Sequence, residues 1–195
     1  MENNKKIVLH TCCAVCGAYL TELLKNKFSQ ILIYFYNPNI QPKEEYEKRK
    51  ESAEKLAEIY NLEFEEGEYE PNKWFDKIKG FEDEPEGGRR CPICFEMRLR
   101  QTAELARERG LEYFSTTLAV SPYKNEKIID ELGQKIGNEF GVKYLSIHVR
   151  NQIEQKEILP RTELVLVRGW QKTRELAKKH GFYHQKYCGC VFSQK

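Results

Sequence analysis

Apolar residues come along this chain in short bursts separated by longer charged stretches. Lys6–Thr11 carries Ile7-Val8-Leu9 and reads as a buried strand. Ile31–Tyr36 is β-branched and aromatic and ends at Asn37-Pro38-Asn39, a turn signal. Leu62–Glu65, Glu112–Thr117 and Lys143–Val149 read as further strands. Helical patterns fall between them. Ala18–Lys25 is the first, opened by Cys16. Lys43–Tyr60 lacks Gly and Pro, is rich in Glu and Lys, and has few apolar positions, which leaves one face solvated. Asn72–Ile78 is short and presents Trp74 and Phe75. Gly80–Arg90 is a loop closed by Gly87-Gly88-Arg89-Arg90. Cys94–Arg109 stops at Gly110, Asn125–Phe140 follows, and Trp170–His180 stops at Gly181. This alternation predicts an α/β fold with a parallel sheet covered by helices. No repeat or linker divides the chain, so 1–195 reads as a single domain. Within it, 151–168 stands out as an insertion: its two apolar bursts flank Pro160-Arg161 and predict a hairpin or an added edge strand.

Composition narrows the class. With 40% hydrophobic and 32% charged residues over 195 positions, the chain can bury a full core. No apolar run is long enough to span a bilayer. Only Ile7-Val8-Leu9 follows the basic residues of the N-terminus, too little for a signal peptide, so a cytoplasmic protein is expected. A net charge of +2 neither requires nor forbids nucleic acid.

The cysteines change the picture most. Seven are present, all in three clusters: Cys12-Cys13-x-x-Cys16, Cys91-x-x-Cys94 and Cys188-x-Cys190. Disulfide frameworks belong to oxidising compartments, and structural cysteines scatter, so this grouping points to metal or redox work. The first cluster follows a strand directly. In a parallel sheet that is the carboxyl edge, where ligands bind, and a helix N-terminus favours the thiolate. Cys91-Pro92-Ile93-Cys94 has the spacing of a thioredoxin-type pair, and equally that of two ligands to one metal centre. Cys188-Gly189-Cys190 can chelate one ion or close into a strained, easily reduced disulfide. A four-thiolate zinc site would leave three cysteines idle. A four-iron cluster takes four and leaves three for a second metal with an open position.

Further residues extend the pattern. Leu9-His10-Thr11-Cys12-Cys13-Ala14-Val15-Cys16, Phe35-Tyr36-Asn37-Pro38-Asn39-Ile40, Glu45-Tyr46 with Arg49, Glu84 to Cys91 through Cys94, Arg98-Leu99, Ser115 to Leu118, Ser121-Pro122 with Lys124, and the tail from Tyr183 to Ser193 occur in order. This ensemble resembles the cobalamin-independent epoxyqueuosine reductases, the QueH-type family. His184 stands where the family usually has arginine. Asn151–Arg168 intervenes where the family runs almost directly into its last helix.

The resemblance implies a Rossmann-like α/β fold and a two-electron deoxygenation of epoxyqueuosine to queuosine at the wobble position of tRNA. It implies a 4Fe-4S cluster beside an additional mononuclear iron. Carried over by position, Cys12, Cys13, Cys91 and Cys94 ligate the cluster. Cys16, Cys188 and Cys190 hold the second iron, or the last two form a redox pair. An iron with an open site would bind the epoxide oxygen. His10 and Tyr187 flank the cysteines and are candidate proton donors. Loop bases are read by stacking and edge hydrogen bonds, which makes Tyr36, Asn37, Asn39, Tyr46 and Arg49 candidates to line a pocket. Arg89, Arg90, Arg98 and Lys124 are candidates for phosphate. The partners implied are tRNA carrying epoxyqueuosine and an electron donor of unidentified kind. The rival is a zinc-stabilised RNA-binding module without catalysis.

Overall fold

The computed structural model describes residues 4–150 and 164–194. Five parallel strands form the main sheet: β1 (Lys6–His10), β2 (Gln30–Phe35), β3 (Glu63–Glu66), β4 (Tyr113–Thr116) and β5 (Lys143–Tyr144), in the order β3-β2-β1-β4-β5. Parallel strands covered on both faces need continuous apolar runs, and Ile7, Val8 and Leu9 of the central β1 are fully buried. At the β3 edge the strand is acidic and only half buried, which blunts it against further pairing.

Helices α1 (Ala14–Lys25), α2 (Lys43–Tyr60), α3 (Pro71–Ile78), α4 (Arg90–Glu108), α5 (Glu126–Phe140) and α6 (Gly169–His180) cover this sheet. α1 packs against α2 and α6, and α4 against α5 and α3. On α2 the buried positions include Glu45, Tyr46, Arg49, Ser52 and Leu56, so its inward face is partly polar. That polar stripe is where the C-terminal tail docks.

Three departures from the sequence reading bear on the site. α1 starts at Ala14 rather than Ala18, and α4 at Arg90 rather than Cys94. Small residues opened the first helix early. Pro92 is no barrier in the second, because a first-turn proline loses no intrahelical bond. The expected strand 143–149 breaks at Leu145, whose carbonyl accepts from Ser115 Oγ at 2.7 Å. Its second half, β6 (Ser146–Arg150), leaves the main sheet and pairs in parallel with β7 (Leu164–Arg168). The added strand expected within 151–168 therefore exists, as part of a separate two-stranded sheet. Parallel pairing excludes the hairpin, since a tight turn joins only antiparallel strands. Residues 151–163 lie outside the described residues.

Candidate metal centre and substrate cleft

The strand order places a topological switch point between β1 and β4, where the chain leaves neighbouring strands in opposite directions and opens a crevice at their carboxyl ends. Cys12 sits there. Its N–H donates to Thr117 Oγ1 at 3.2 Å, and its sulfur lies 3.4 Å from the same hydroxyl, tying the end of β1 to the end of β4. Because α1 begins at Ala14, Cys13 precedes it and Cys16 lies in its first turn. The three sulfurs lie within 4.8 Å of one another, all buried. Hydrogen bonds from Cys13 and Cys16 hold the Cys12 thiol well below the ordinary thiol range. Donating to Cys12 pushes Cys13 up to about 12 and raises Cys16 too, with burial adding to both. Each thiol of the trio opposes ionisation of the next, and a cation is what would let all three become thiolates.

Cys91 and Cys94 lie three residues apart in the opening of α4, on one face of the helix. The Cys91 sulfur accepts from the Gly87 N–H at 3.2 Å. The Cys94 sulfur accepts from Trp74 Nε1 and Arg98 Nη2, each at 3.2 Å. Burial raises the Cys94 thiol, and Arg98 opposes it. The loop before α4 is closed by Arg90, whose Nη1 donates to the carbonyls of Phe81, Glu82 and Glu84 at 2.5–2.9 Å.

The tail brings in the third cluster. Arg49, 2% exposed, donates Nε to Glu45 Oε1 at 2.7 Å, Nη1 to the Cys188 carbonyl and Nη2 to the Tyr187 carbonyl, both at 3.0 Å. Glu45 also accepts the Tyr183 hydroxyl at 2.6 Å. Gly189 has φ +101°, and a Cβ there would lie 2.9 Å from Ile40 Cγ1 and 3.0 Å from Arg49 Nη1, so only glycine fits. This turn sends Cys188 toward a cleft and Cys190 inward against Trp74, Ile78 and Cys94. Gln185 Nε2 donates to the Cys13 sulfur at 2.9 Å, linking the tail to the first cluster. Arg49→Ala should therefore strand the buried Glu45 carboxylate and release the tail. We expect a loss of about 3–5 kcal/mol in the unfolding free energy, and proteolytic clipping after Phe182 in the folded protein. Unchanged thermal unfolding and an uncut tail would contradict this.

Cysteines of all three clusters contribute to the electrostatic surroundings of two cations. Burial alone would pull Arg98 down, yet Cys94, Cys188, Cys12 and Cys91 outweigh it and hold the guanidinium charged. Lys124 behaves alike: burial opposes its charge, and Cys188, Cys12 and Cys16 overcome that. Beside Lys124 a cleft is lined by Cys91 and Cys188, with Phe95, Pro92, Ile128 and Tyr123 as apolar walls.

The other residues singled out by sequence fall into distinct environments. His10 is fully buried, with Nδ1 2.8 Å from Thr116 Oγ1 and Nε2 3.1 Å from the Tyr36 carbonyl. A carbonyl only accepts, so Nε2 carries the proton and Nδ1 accepts from the threonine. Burial, assisted by Arg98, pulls this imidazole down to about 4. Both nitrogens are thus occupied in joining β1, β2 and β4. Tyr187 donates its hydroxyl to the Gln41 carbonyl and lies against Arg49. Tyr36 is buried and stacked on Tyr34. Tyr46 donates to Glu66 Oε1 at 2.8 Å. Asn37 Nδ2 donates to the Thr11 carbonyl at 3.0 Å. The amide nitrogen and oxygen of buried Asn39 have no hydrogen-bond partner. Arg90 and Arg98 turn inward, whereas the Arg89 side chain is 76% exposed and paired with Glu84. Sequence reading missed the sulfur donors Trp74, Gln185 and Thr117. It also missed the brace on α2, although Glu45 and Arg49 stand at the i,i+4 spacing of a helical ion pair.

Comparison with known proteins bears directly on this geometry. A family model described as epoxyqueuosine reductase QueH matches residues 7–195. The chain belongs to the QueH family. Proteins named epoxyqueuosine reductase QueH from Staphylococcus epidermidis and Acinetobacter baylyi are 39% and 37% identical to it. They align over 96% and 98% of this chain and 76% and 82% of their own lengths. A QueH from Thermotoga maritima is 38% identical, over 96% of this chain and 89% of its own. The fold also resembles a U34-tRNA thiolase from Methanococcus maripaludis solved with its [4Fe-4S] cluster. That match has TM-score 0.56 and 13% identity, and covers all of this chain and 63% of the other. For this QueH-family chain the thiolase match speaks to the fold alone. Among the described residues no helix is long and apolar enough to cross a membrane.

Proposed function

We propose that this chain is an epoxyqueuosine reductase, removing the epoxide oxygen from epoxyqueuosine in tRNA to leave queuosine, with a [4Fe-4S] cluster and an additional iron as its cofactors. The observation that carries this reading is a buried trio of cysteine sulfurs at the carboxyl edge of the sheet, with cysteines of the other two clusters in the electrostatic surroundings of the same Arg98, in a chain of the QueH family. Soft sulfur ligands select iron–sulfur, zinc or copper(I) centres. The sulfurs of Cys12, Cys13, Cys91 and Cys94 each lie at hydrogen-bond distance from a neighbouring O–H or N–H group: Thr117, Gln185, the Gly87 backbone, and Trp74 with Arg98. Such bonds are how a protein tunes a cluster; the Cys190 sulfur meets an N–H too, that of Phe192, so the choice of these four rests on their positions in the family pattern. Cys16, Cys188 and Cys190 remain for the second iron, or the last two for a redox disulfide.

The deoxygenation takes two electrons and two protons and yields an alkene and water. When bound, the cluster supplies electrons singly and the second iron an electrophile for the epoxide oxygen. The protein supplies position and charge. Lys124 faces the thiols at the cleft wall as an ammonium, suited to stabilise negative charge growing on the departing oxygen and to donate a hydrogen bond to it. With His10 and Tyr187 engaged elsewhere, Lys124 replaces them as the group we favour beside that oxygen. The unpartnered Asn39 amide lies next to Ile40, which packs against the tail at Gly189. A buried amide without a partner is costly, and a substrate hydroxyl would relieve it.

Arg89 is the arginine we assign to RNA phosphate, in place of Arg90 and Arg98. Arg89→Gln should weaken tRNA binding and lower the steepness of its salt dependence by about one counterion. An unchanged slope would return Arg89 to the solvated surface. The function itself is tested by anaerobic iron and sulfide loading followed by incubation with epoxyqueuosine-containing tRNA and a chemical reductant. A brown protein with about five irons that forms queuosine supports it. A colourless protein holding one zinc and converting nothing would return it to an RNA-binding module.

A further inference from the structure

The cleft beside Cys91 and Cys188 has an aromatic rim that the chemistry above leaves unused. Tyr123 is 75% exposed, the most exposed large hydrophobic side chain among the described residues. Its ring forms no aromatic or cation–π pair among them, although it lines the same cleft as the thiols. Ordinarily an aromatic ring is buried or covered, because leaving it in water forfeits its large transfer free energy.

The backbone beneath it is well held. Tyr123 N–H lies 3.4 Å from Ser121 Oγ, and Lys124 N–H donates to the Ser121 carbonyl at 3.2 Å. Asn125 then caps α5, its Oδ1 accepting from the Ile128 N–H at 3.2 Å. A ring on so short and anchored a turn loses little further entropy when something covers it. Lys124, the next residue, points its charge toward the thiols, so the loop presents an aromatic plane outward and a cation inward.

We propose that Tyr123 is a stacking platform for a nucleobase of the tRNA anticodon loop, holding the loop over the cleft while the modified ring of the target nucleotide reaches down toward Cys188. This rests on the reductase reading and extends it to the substrate's base. Single-stranded loops are read by splaying bases onto aromatic side chains, whichever base is presented. Cys91 and Cys188 line the cleft together with Tyr123, so a nucleotide whose modified ring approaches those thiols passes the exposed ring. Its base, or a neighbouring one, then lies within reach of the rim, where Tyr123 stands.

The test uses the iron-loaded full chain and an anticodon stem-loop RNA with 2-aminopurine placed in turn at each loop position flanking the target. With Tyr123 present, one position should lose fluorescence on binding. Tyr123→Ala should restore that fluorescence and weaken binding by about 5- to 100-fold. Tyr123→Phe should behave as the unmodified protein, and Tyr123→Leu as the alanine variant. The salt slope should stay unchanged, because stacking releases no counterions. Iron content and cluster absorbance should also stay unchanged, as the substitution removes no thiol. Alanine or leucine variants binding within about 2-fold of the unmodified protein would overturn the platform, as would the absence of quenching at every position. If the unmodified chain neither binds nor converts the epoxyqueuosine-containing RNA, it is the reductase reading that fails, whatever Tyr123 does.

Discussion

Alanine in place of any one of Cys12, Cys13, Cys91 or Cys94 is expected to remove most of the broad cluster absorbance from anaerobically loaded protein, and turnover with it. Each of these sulfurs is placed by a different part of the fold. Cys12 is tied to Thr117 at the end of β4, Cys13 to Gln185 of the tail, Cys91 to the Gly87 turn, and Cys94 to Trp74 on α3. A cluster with four protein ligands that loses one must find a substitute of the right softness at the same place. Cys16 is the nearest spare thiol, within 4.8 Å of Cys12 and Cys13. Some residual absorbance in the Cys12 and Cys13 variants would therefore be natural, and little in the Cys91 and Cys94 variants. Cys16→Ala is the control: it should keep the absorbance. A full cluster in two or more of the four ligand variants would defeat the assignment.

Much of this site was legible in the sequence, and for a plain reason. Cysteine spacing and strand order are both linear features. The apolar bursts place β1 before Cys12, and a parallel sheet then puts that cysteine at the ligand-binding edge without any knowledge of side-chain geometry. What the sequence hid was the direction of long polar side chains. Arg49, Arg90 and Arg98 look like surface cations in a chain with 32 basic residues, yet each turns inward to satisfy carbonyls or a thiol. Their partners are remote or lie in irregular loops, which no period of 2.0 or 3.6 reports. His10 misled for the opposite reason. A histidine beside cysteines suggests chemistry, but both its nitrogens are occupied in joining three strands. Tyr123 carried no signal at all, because one tyrosine in a turn is ordinary until its neighbours are known to be thiols.

Cys190→Ser is expected to keep the brown cluster, lose about one iron and abolish conversion of epoxyqueuosine-containing tRNA. Cys190 is buried against Trp74, Ile78 and Cys94, and burial raises its thiol to about 11. A serine there has nearly the same shape and keeps an acceptor for the Phe192 N–H that now meets the sulfur, so the tail should stay in place. Arg49 still holds the carbonyls of Tyr187 and Cys188, and Gly189 still makes its turn. The change is therefore chemical: a hydroxyl does not ionise to serve as a soft ligand, nor does it form a disulfide. Turnover is lost in either case, and iron content separates the two versions of the tail. A second-iron site loses about one metal per chain, whereas a redox pair with Cys188 leaves the iron count unchanged and abolishes only the thiol–disulfide cycle. The partner variant Cys188→Ser should match it in iron and in rate, as the proposal that both thiols serve one centre requires. A Cys190→Ser protein that turns over at the unmodified rate would remove the tail from the chemistry, and the second iron with it.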